Sequence, residues 1–321
     1  MNSDLPMVTI IVPAYNAGCT LQVCLTSLLR QDYPPEKFIV MVVNDGSTDE
    51  TGALFHQMKL PENFALIEHA ENRGLAATRN TGIQNTHGEI LIFLDADMEL
   101  ASDFISRHVA HYEQSEVVGI VSELKPAPEN PYDKYQRYIY ESQRGARVIG
   151  ANGPLPFQYF IFGLTSVKRS ALELTSNFDA MIHDYGGEDT EMAYRLWQKY
   201  PAGLFFDPEI KVIHHHYRTL EQALKLVTQF GRNVVPYLIQ KHPEMAKLYG
   251  AGYVRKRFPV ANRRQNPFKL FAGLVLRQKA VSSCLRGLFV VMPFPLSNGI
   301  VRLLMASAIL RGISINEKTN R

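Results

Sequence analysis

The sequence predicts an α/β fold: a mainly parallel sheet flanked by helices, with a helical C-terminal tail. Three observations predict it. In the first hundred residues, apolar β-prone runs alternate four times with helical patterns over short connections, the grammar of a parallel sheet with right-handed crossovers. Each run stops in a polar loop (Tyr15-Asn16, Asp45-Gly46, Asn72-Arg73, Asp95-Ala96-Asp97), so all four loops fall at one edge of the sheet. Beyond residue 254 the pattern changes to apolar stretches punctuated by Arg and Lys.

The elements follow in order. Val8 to Val12 is a β-branched run closed by Pro13, and Leu21, Leu25, Leu28 and Leu29 then recur at helical spacing towards Pro34-Pro35. Phe38 to Val43 is the second strand. Ser47, Thr48 and Asp49 offer N-caps to a helix running towards Lys59. Phe64 to Ile67 is a third strand, and Leu75 to Gln84 a helix. Ile90 to Leu94, five apolar residues, reads as a strand buried on both faces. Pro208 to Ile213 is the expected last strand of the body. Thr219 to Ile239 is helical by pattern, bent at Pro236.

A chain of 321 residues with 46% apolar and 20% charged residues is folded and globular, with one catalytic-sized domain over 1–254 and a tail over 255–321. Cys19, Cys24 and Cys284 make neither a metal spacing nor a disulfide framework, which points to a reducing compartment. The absence of a signal-like start argues against export. The net charge of +3 hides a split: from Arg255 onward there are 13 Lys or Arg against Glu317 alone, a tail of +12 on a body of −9. A basic, apolar tail suggests an anionic surface, lipid or nucleic acid.

Asp95 and Asp97 end a buried strand where ligands of open α/β sheets gather. Two carboxylates there can hold Mg²⁺ or Mn²⁺, which in turn holds phosphates. The plainer reading is a turn at Asp95 and a helix cap at Asp97. No Gly-x-Gly-x-x-Gly or Gly-x-x-x-x-Gly-Lys is present, so a dinucleotide site and a P-loop are disfavoured. Phosphate neutralisation then falls to a metal, to Arg73 or Arg79, or to a helix N-terminus. Glu188 and Asp189 open a helical pattern. They either complement its dipole or supply a general base to an acceptor hydroxyl. His214-His215-His216 closes the last strand, where one imidazole can complete the site of Asp97. Tyr132, Tyr135, Tyr138 and Tyr140 suit either sugar faces or helix packing.

Val-Pro-Ala-Tyr-Asn (12–16), Asn-Asp-Gly-Ser-Thr-Asp (44–49), Asn-Arg-Gly-Leu-Ala-Ala-Thr-Arg-Asn (72–80) and Asp-Ala-Asp (95–97) together resemble the family 2 glycosyltransferases, inverting nucleotide-sugar enzymes of the Rossmann-like GT-A fold. The resemblance implies that Pro13, Tyr15 and Asp45 surround a uracil-like base, with Asn16, Gly46, Asn72, Arg73, Arg79 and Ala96 in the same donor-binding loops. It implies that Asp95 and Asp97 serve ribose and metal, that Asp189 is the base with Glu188 in support, and that His214 joins the metal. Gly163-Leu164-Thr165-Ser166 departs from the family's Gly-Asn-x-Ser block at Leu164 and Thr165.

The expected activity is metal-dependent, inverting transfer from a nucleotide sugar, UDP-linked, to a carbohydrate or lipid-linked acceptor in cell-surface polysaccharide or glycolipid synthesis. A nucleotidyltransferase making a nucleotide sugar, or a non-catalytic membrane- or nucleic-acid-binding protein, are the alternatives. For the tail, in-plane helices on the cytoplasmic face of a membrane are expected, with no nucleic-acid partner. A hairpin packed on the body and a span across Gly287 to Leu310 are the other two readings.

Overall fold

The computed structural model describes residues 5–151, 153–253 and 266–319. The chain forms two compact units: Met1–Asn130, Gln143–His183 and Glu188–His216 make the first, and Pro131–Ser142, Asp184–Gly187 and Tyr217–Arg321 the second. The boundary expected near 254 and the basic residues from Arg255 to Arg264 lie outside the described residues.

The first unit carries one mixed sheet. Its strands are β1 (Val8–Ala14), β2 (Phe38–Asn44), β3 (Phe64–Glu68), β4 (Ile90–Leu94), β5 (Met98–Leu100), β6 (Gly119–Pro126), β7 (Leu164–Lys168) and β8 (Leu204–His214), in the order β3-β2-β1-β4-β7-β6-β8-β5. The four expected strands are the parallel half, joined by α1 (Leu21–Leu28), α2 (Thr51–Gln57) and α3 (Leu75–Gln84). β7 then runs antiparallel to β4, so the second half of the sheet is mixed. α4 (Phe104–Ala110), α6 (Arg169–Thr175) and α7 (Glu188–Lys199) complete the unit's helices.

β4 explains the register. Each of its five side chains is at most 3% exposed, and burying an aliphatic or aromatic side chain of this size contributes about 1.5–3 kcal/mol. β1 pairs in register with β2 from Val8↔Phe38 to Ala14↔Asn44, and with β4 from Val8↔Ile90. The strands therefore stop together, and Tyr15, Asp45, His69 and Asp95 start their loops at one edge. Backbone bonds from Asp45 N–H to Ala14 O and from His69 N–H to Asn44 O, 2.8 and 2.9 Å, fix the loop starts.

Two local expectations change. No helix follows Asp97, and Asp97 caps nothing: Met98-Glu99-Leu100 is a short strand, apolar-polar-apolar, with Met98 and Leu100 buried. In the first turn of α2 the N-cap is Glu50, which makes no side-chain cap, while Asp49 Oδ1 accepts from Thr51 N–H at 3.0 Å.

The second unit is helical: α5 (Lys134–Tyr140), α8 (Leu220–Asn233), α9 (Val235–Lys241), α10 (Pro267–Leu276), α11 (Lys279–Val291) and α12 (Ser297–Thr319). Thr219 and Gln222 form a reciprocal capping box at the start of α8. The bend expected at Pro236 is the break between α8 and α9, with Pro236 in the first turn of α9, where its missing N–H costs nothing. Tyr135 and Tyr138 stack with centroids 6.2 Å apart and pack into a core with Leu224, Val301 and Leu304, so these two tyrosines serve packing. A continuous span over Gly287 to Leu310 is ruled out. α11 stops at Val291 and α12 starts at Ser297, with Pro293 and Pro295 between, and Lys134 Nζ caps the α11 end by donating to the carbonyls of Phe289 and Val290 at 2.7 and 2.6 Å. Among the described residues, only Ser297–Asn316 is long and apolar enough to cross a membrane, by length and composition.

Candidate active site

At the loop edge of the parallel half lies a crevice of about 490 Å³ lined by Pro13, Tyr15, Asn16, Ala17, Cys19, Thr20, Leu75, Asp95, Ala96, Asp97 and His216. Tyr15 is 52% exposed beside it, an aromatic face held open to solvent. Asn16 adopts the left-handed conformation (φ 50°) that Asn tolerates. Its N–H donates to Ser47 Oγ and its Oδ1 accepts from Thr48 N–H, both at 2.9 Å, so the first loop is tied to the second.

Asp95 and Asp97 reach this crevice for different reasons. Asp95 N–H donates to Gly163 O at 2.9 Å. Gly163 has φ 127°, and a Cβ there would stand 2.5 Å from Asp95 Oδ2, so only glycine lets that carboxylate occupy its place. Asp97 is fixed by the short β5. Pairing of Met98 with His214 and the His215 N–H bond to Asp97 O, 2.8 Å, lay the His triplet beside it. His214 Nε2 stands 3.4 Å from Asp97 Oδ2, and His216 lines the crevice. His215 turns away, bonded to Glu99 and Glu129 at 2.7 and 2.6 Å.

The two carboxyls are pushed apart in acidity. Burial raises Asp95 to about 7 against the opposing charge of Arg79, its side chain still 39% exposed towards the crevice. At the half-buried Asp97 partial burial pushes the same way, but the His214 hydrogen bond and the His214 and His216 charges bring it below the usual carboxylate range. Asp97 Oδ1 is buried and accepts no hydrogen bond. Such an oxygen, next to a second carboxylate and an imidazole, fits a hard divalent cation. Among the described residues no three His, Cys, Asp or Glu side chains form a ready-made metal cluster, so a cation here would take further ligands from a bound phosphate.

Arg79 is the hub behind the crevice. It is 1% exposed, yet its guanidinium meets Asp189 Oδ1 at 2.5 Å, Glu188 Oε1 at 3.3 Å, Phe162 O at 3.1 Å and Asp95 Oδ1 at 3.6 Å. The rings of Phe162 and Phe178 stand 5.9 and 5.3 Å from its charge. Burial works against the cation, but Asp189, Glu188 and Asp95 outweigh it and raise its pKa. Burial raises Glu188 to about 8, with the Asp189 charge adding to it. Asp189 is raised chiefly by burial, against the pull of Arg79 and the Glu188 hydrogen bond. The carboxyls of Glu188 and Asp189, in the first turn of α7, are thus both pushed above the usual carboxylate range by burial.

The other expected donor residues stand beside the crevice rather than lining it. Asp45 is 3% exposed and accepts from Arg73 N–H (2.9 Å), Gly74 N–H (3.0 Å) and the His69 ring (2.6 Å). Gly46 (φ 68°) packs backbone against backbone, since a Cβ there would stand 2.5 Å from the Glu71 carbonyl carbon. Asn72 and Arg73 are exposed on the third loop. Leu164 and Thr165, where the sequence departs from Gly-Asn-x-Ser, are buried, and the Oγ of the matching Ser166 bonds His108 and Tyr112 at 2.7 Å each. Thr20, Leu75, His69 and the two rings around Arg79 were not expected from the sequence, and of the His triplet His216 as well as His214 stands at the site. The Phe-Ile-Phe run at 160–162 was a usable signal for Phe162, but nothing local marks Phe178.

The sequence matches the family described as glycosyl transferase family 2 over residues 9–174. Glycosyltransferase AglE of Haloferax volcanii is 38% identical over 111 residues, 34% of this chain and 36% of that protein. The uncharacterized glycosyltransferase YfnE of Bacillus subtilis is 28% identical over 254 residues, 65% of this chain and 64% of that protein. The chain thus spans less than two-thirds of the length of these curated relatives. Among solved structures, mannosyltransferase PcManGT from Pyrobaculum calidifontis in complex with GDP-Man and Mn²⁺ matches with a TM-score of 0.56 at 19% identity, covering 96% of this chain and 88% of that one. S. aureus TarS 1-349 in complex with UDP matches at 0.54 and 14%, covering 98% and 91%. With a family match over more than half its length and a GT-A fold, the chain belongs to glycosyl transferase family 2.

Proposed function

We propose that this protein transfers a glycosyl unit from a nucleotide sugar to an acceptor hydroxyl with inversion at the anomeric carbon. One observation carries the reading: a single buried guanidinium, Arg79, spans Asp95 on the crevice side and Asp189 at the start of α7. A donor-side carboxylate and a proton acceptor therefore stand within one side chain's reach, as a direct displacement needs.

The donor lies in the crevice, its base against Pro13 and Tyr15. Asp45, with three of its roughly four acceptor sites taken by Arg73, Gly74 and His69, holds the second and third loops together beside the base, and the donor is a uridine nucleotide. Asp97, Asp95 and His214 would hold Mn²⁺ or Mg²⁺, which when bound offsets the charge of the departing diphosphate. The acceptor oxygen attacks C1 as the bond to the diphosphate breaks, and its proton passes to Asp189. Glu188 supports that carboxylate, its hydrogen bond offsetting part of the burial that raises Asp189. The acceptor is carbohydrate or lipid-linked and reached at the cytoplasmic face of a membrane, a placement supported by the apolar, basic tail.

The test is incubation of the pure protein with Mn²⁺ or Mg²⁺ and a panel of nucleotide sugars. Free nucleoside diphosphate, released fastest from a uridine donor, is the expected product. Conversion of the nucleotide sugar to nucleoside triphosphate and sugar 1-phosphate, only when pyrophosphate is added, would instead identify a nucleotidyltransferase. Equal displacement of a labelled donor by UDP and GDP would remove the uridine assignment.

A further inference from the structure

Two of the tail helices leave their apolar faces in solvent. On α10 Phe268 is 76% exposed, Phe271 64% and Val275 39%, at i, i+3 and i+7 on one face. On α11 Cys284, Gly287, Leu288 and Val291 repeat at i, i+3, i+4 and i+7, all exposed, with Val291 at 74% and its neighbour Val290 at 71%. Scattered exposed apolar residues are ordinary, but repeated helical stripes of them mark an interface.

Charge decides the occupant. Residues 266–316 contain Lys269, Arg277, Lys279, Arg286, Arg302 and Arg311 and not one Asp or Glu. A second copy would bring like charges together across the apolar stripes. Nucleic acid would take the cations but gain nothing from Leu288, Val290 or Val291. An anionic leaflet satisfies both features, because basic side chains reach its headgroups while apolar ones enter the acyl boundary. Length decides the orientation. α10 and α11 have 10 and 13 residues, about 15 and 20 Å of helix, short of the roughly 30 Å of a hydrocarbon core.

We propose that α10 and α11 lie in the plane of an anionic leaflet, with Phe268, Phe271, Val290 and Val291 inserted and Lys269 and Lys279 at the headgroups. The proposal rests on the membrane placement of the acceptor, not on the transfer chemistry, and goes beyond it by naming the lipid class and the inserted surface.

The test is flotation of the full chain with phosphatidylcholine vesicles, with and without phosphatidylglycerol. The expected result is binding to the anionic vesicles only, weakened by salt. Phe268→Ser/Phe271→Ser and Val290→Ser/Val291→Ser should each lower partitioning about tenfold or more. A polarity-sensitive fluorophore on Cys284 of the otherwise intact Cys19→Ser chain should shift to the blue on the same vesicles, a readout that needs neither double variant. Flotation unchanged in both double variants, with an unshifted fluorophore, would overturn this surface and leave the membrane placement standing. Failure of the unmodified chain to float would remove both. Equal binding to neutral vesicles would overturn the lipid class. Retention through alkaline carbonate would move the attachment to a spanning α12, and a lipid-free dimer abolished by the double variants would make the occupant a second copy.

Discussion

The loop edge of the sheet buries charge, whereas the tail helices expose apolar surface. Arg79 and Asp45 are each under 5% exposed, and each is held by several partners. In α10 and α11 only Gly273, Ser282 and Leu285 are buried. Buried ions are costly unless paired and hydrogen-bonded, so the first region is over-determined: every charge fixes the position of another. Exposed apolar side chains fix nothing within the chain and wait for a partner. The first region should therefore respond to single substitutions with loss of chemistry, and the second with loss of location only.

The largest effect is expected at Asp97. Asp97→Ala removes the carboxylate with the orphaned buried oxygen, and should abolish cation-dependent donor binding by calorimetry and bring turnover below detection. Its thermal midpoint should stay near that of the parent, because the side chain faces a crevice rather than the core. Donor binding that ignores both the chelator and this substitution would break the contrast at its first point.

Asp189→Asn keeps the shape and deletes the proton acceptor. Turnover should fall by about 10²–10⁴-fold, the usual span for a lost general base. The donor dissociation constant should hardly move, since Asp189 serves the other substrate.

Arg79→Met should act on stability as well as rate. It leaves Glu188 and Asp189 facing each other without their counter-ion, and breaking a buried pair in this way costs about 3–5 kcal/mol. Arg79→Lys restores the charge but not the fork, so it should recover more of the melting temperature than of kcat. Equal recovery of both would reduce Arg79 to a neutralising charge.

The smallest effect belongs to Glu188→Gln. At pH 7 both side chains are neutral donors, so rates should differ by only a few-fold. Glu188 has its folded pKa raised to about 8. Its contribution to stability is therefore complete below the ordinary carboxyl pKa, near 4.5, and is lost as pH climbs from there through 8. Glu188→Gln should remove that loss, making the variant more stable than the parent at pH 9, and should flatten the change in kcat/KM near pH 8. Parallel pH profiles for parent and variant would contradict the protonated state.

The sequence disclosed the parallel half of the sheet almost completely, because strands buried on both faces must be continuous apolar runs, as Ile90 to Leu94 is. It placed Asp95, Asp97 and Asp189 together only through four separate motifs, since nothing near Asp189 names Arg79, 110 residues earlier. The strand after Asp97 escaped notice because Met98-Glu99-Leu100 is too short to show a period. That strand is what brings His214 to Asp97, so the histidine was found by its position at a strand end and not by its cause. Asp45 shows the opposite limit. Its loop was legible, but the bonds to Arg73, Gly74 and His69 that hold it beside the crevice depend on how the second and third loops fold together. In the tail, composition disclosed helix, charge and the break at Pro293 and Pro295, whereas the faces left exposed depend on tertiary packing that no local pattern shows.

The most direct test of the central claim is the anomeric configuration of the first sugar released from an α-linked uridine-diphosphate donor with Mn²⁺, followed by proton NMR before mutarotation. A β-configured product that appears together with UDP, and is lost in Asp189→Asn, is the expected result. An α-configured product, or a β product undiminished in Asp189→Asn, would contradict displacement by an oxygen nucleophile activated at Asp189.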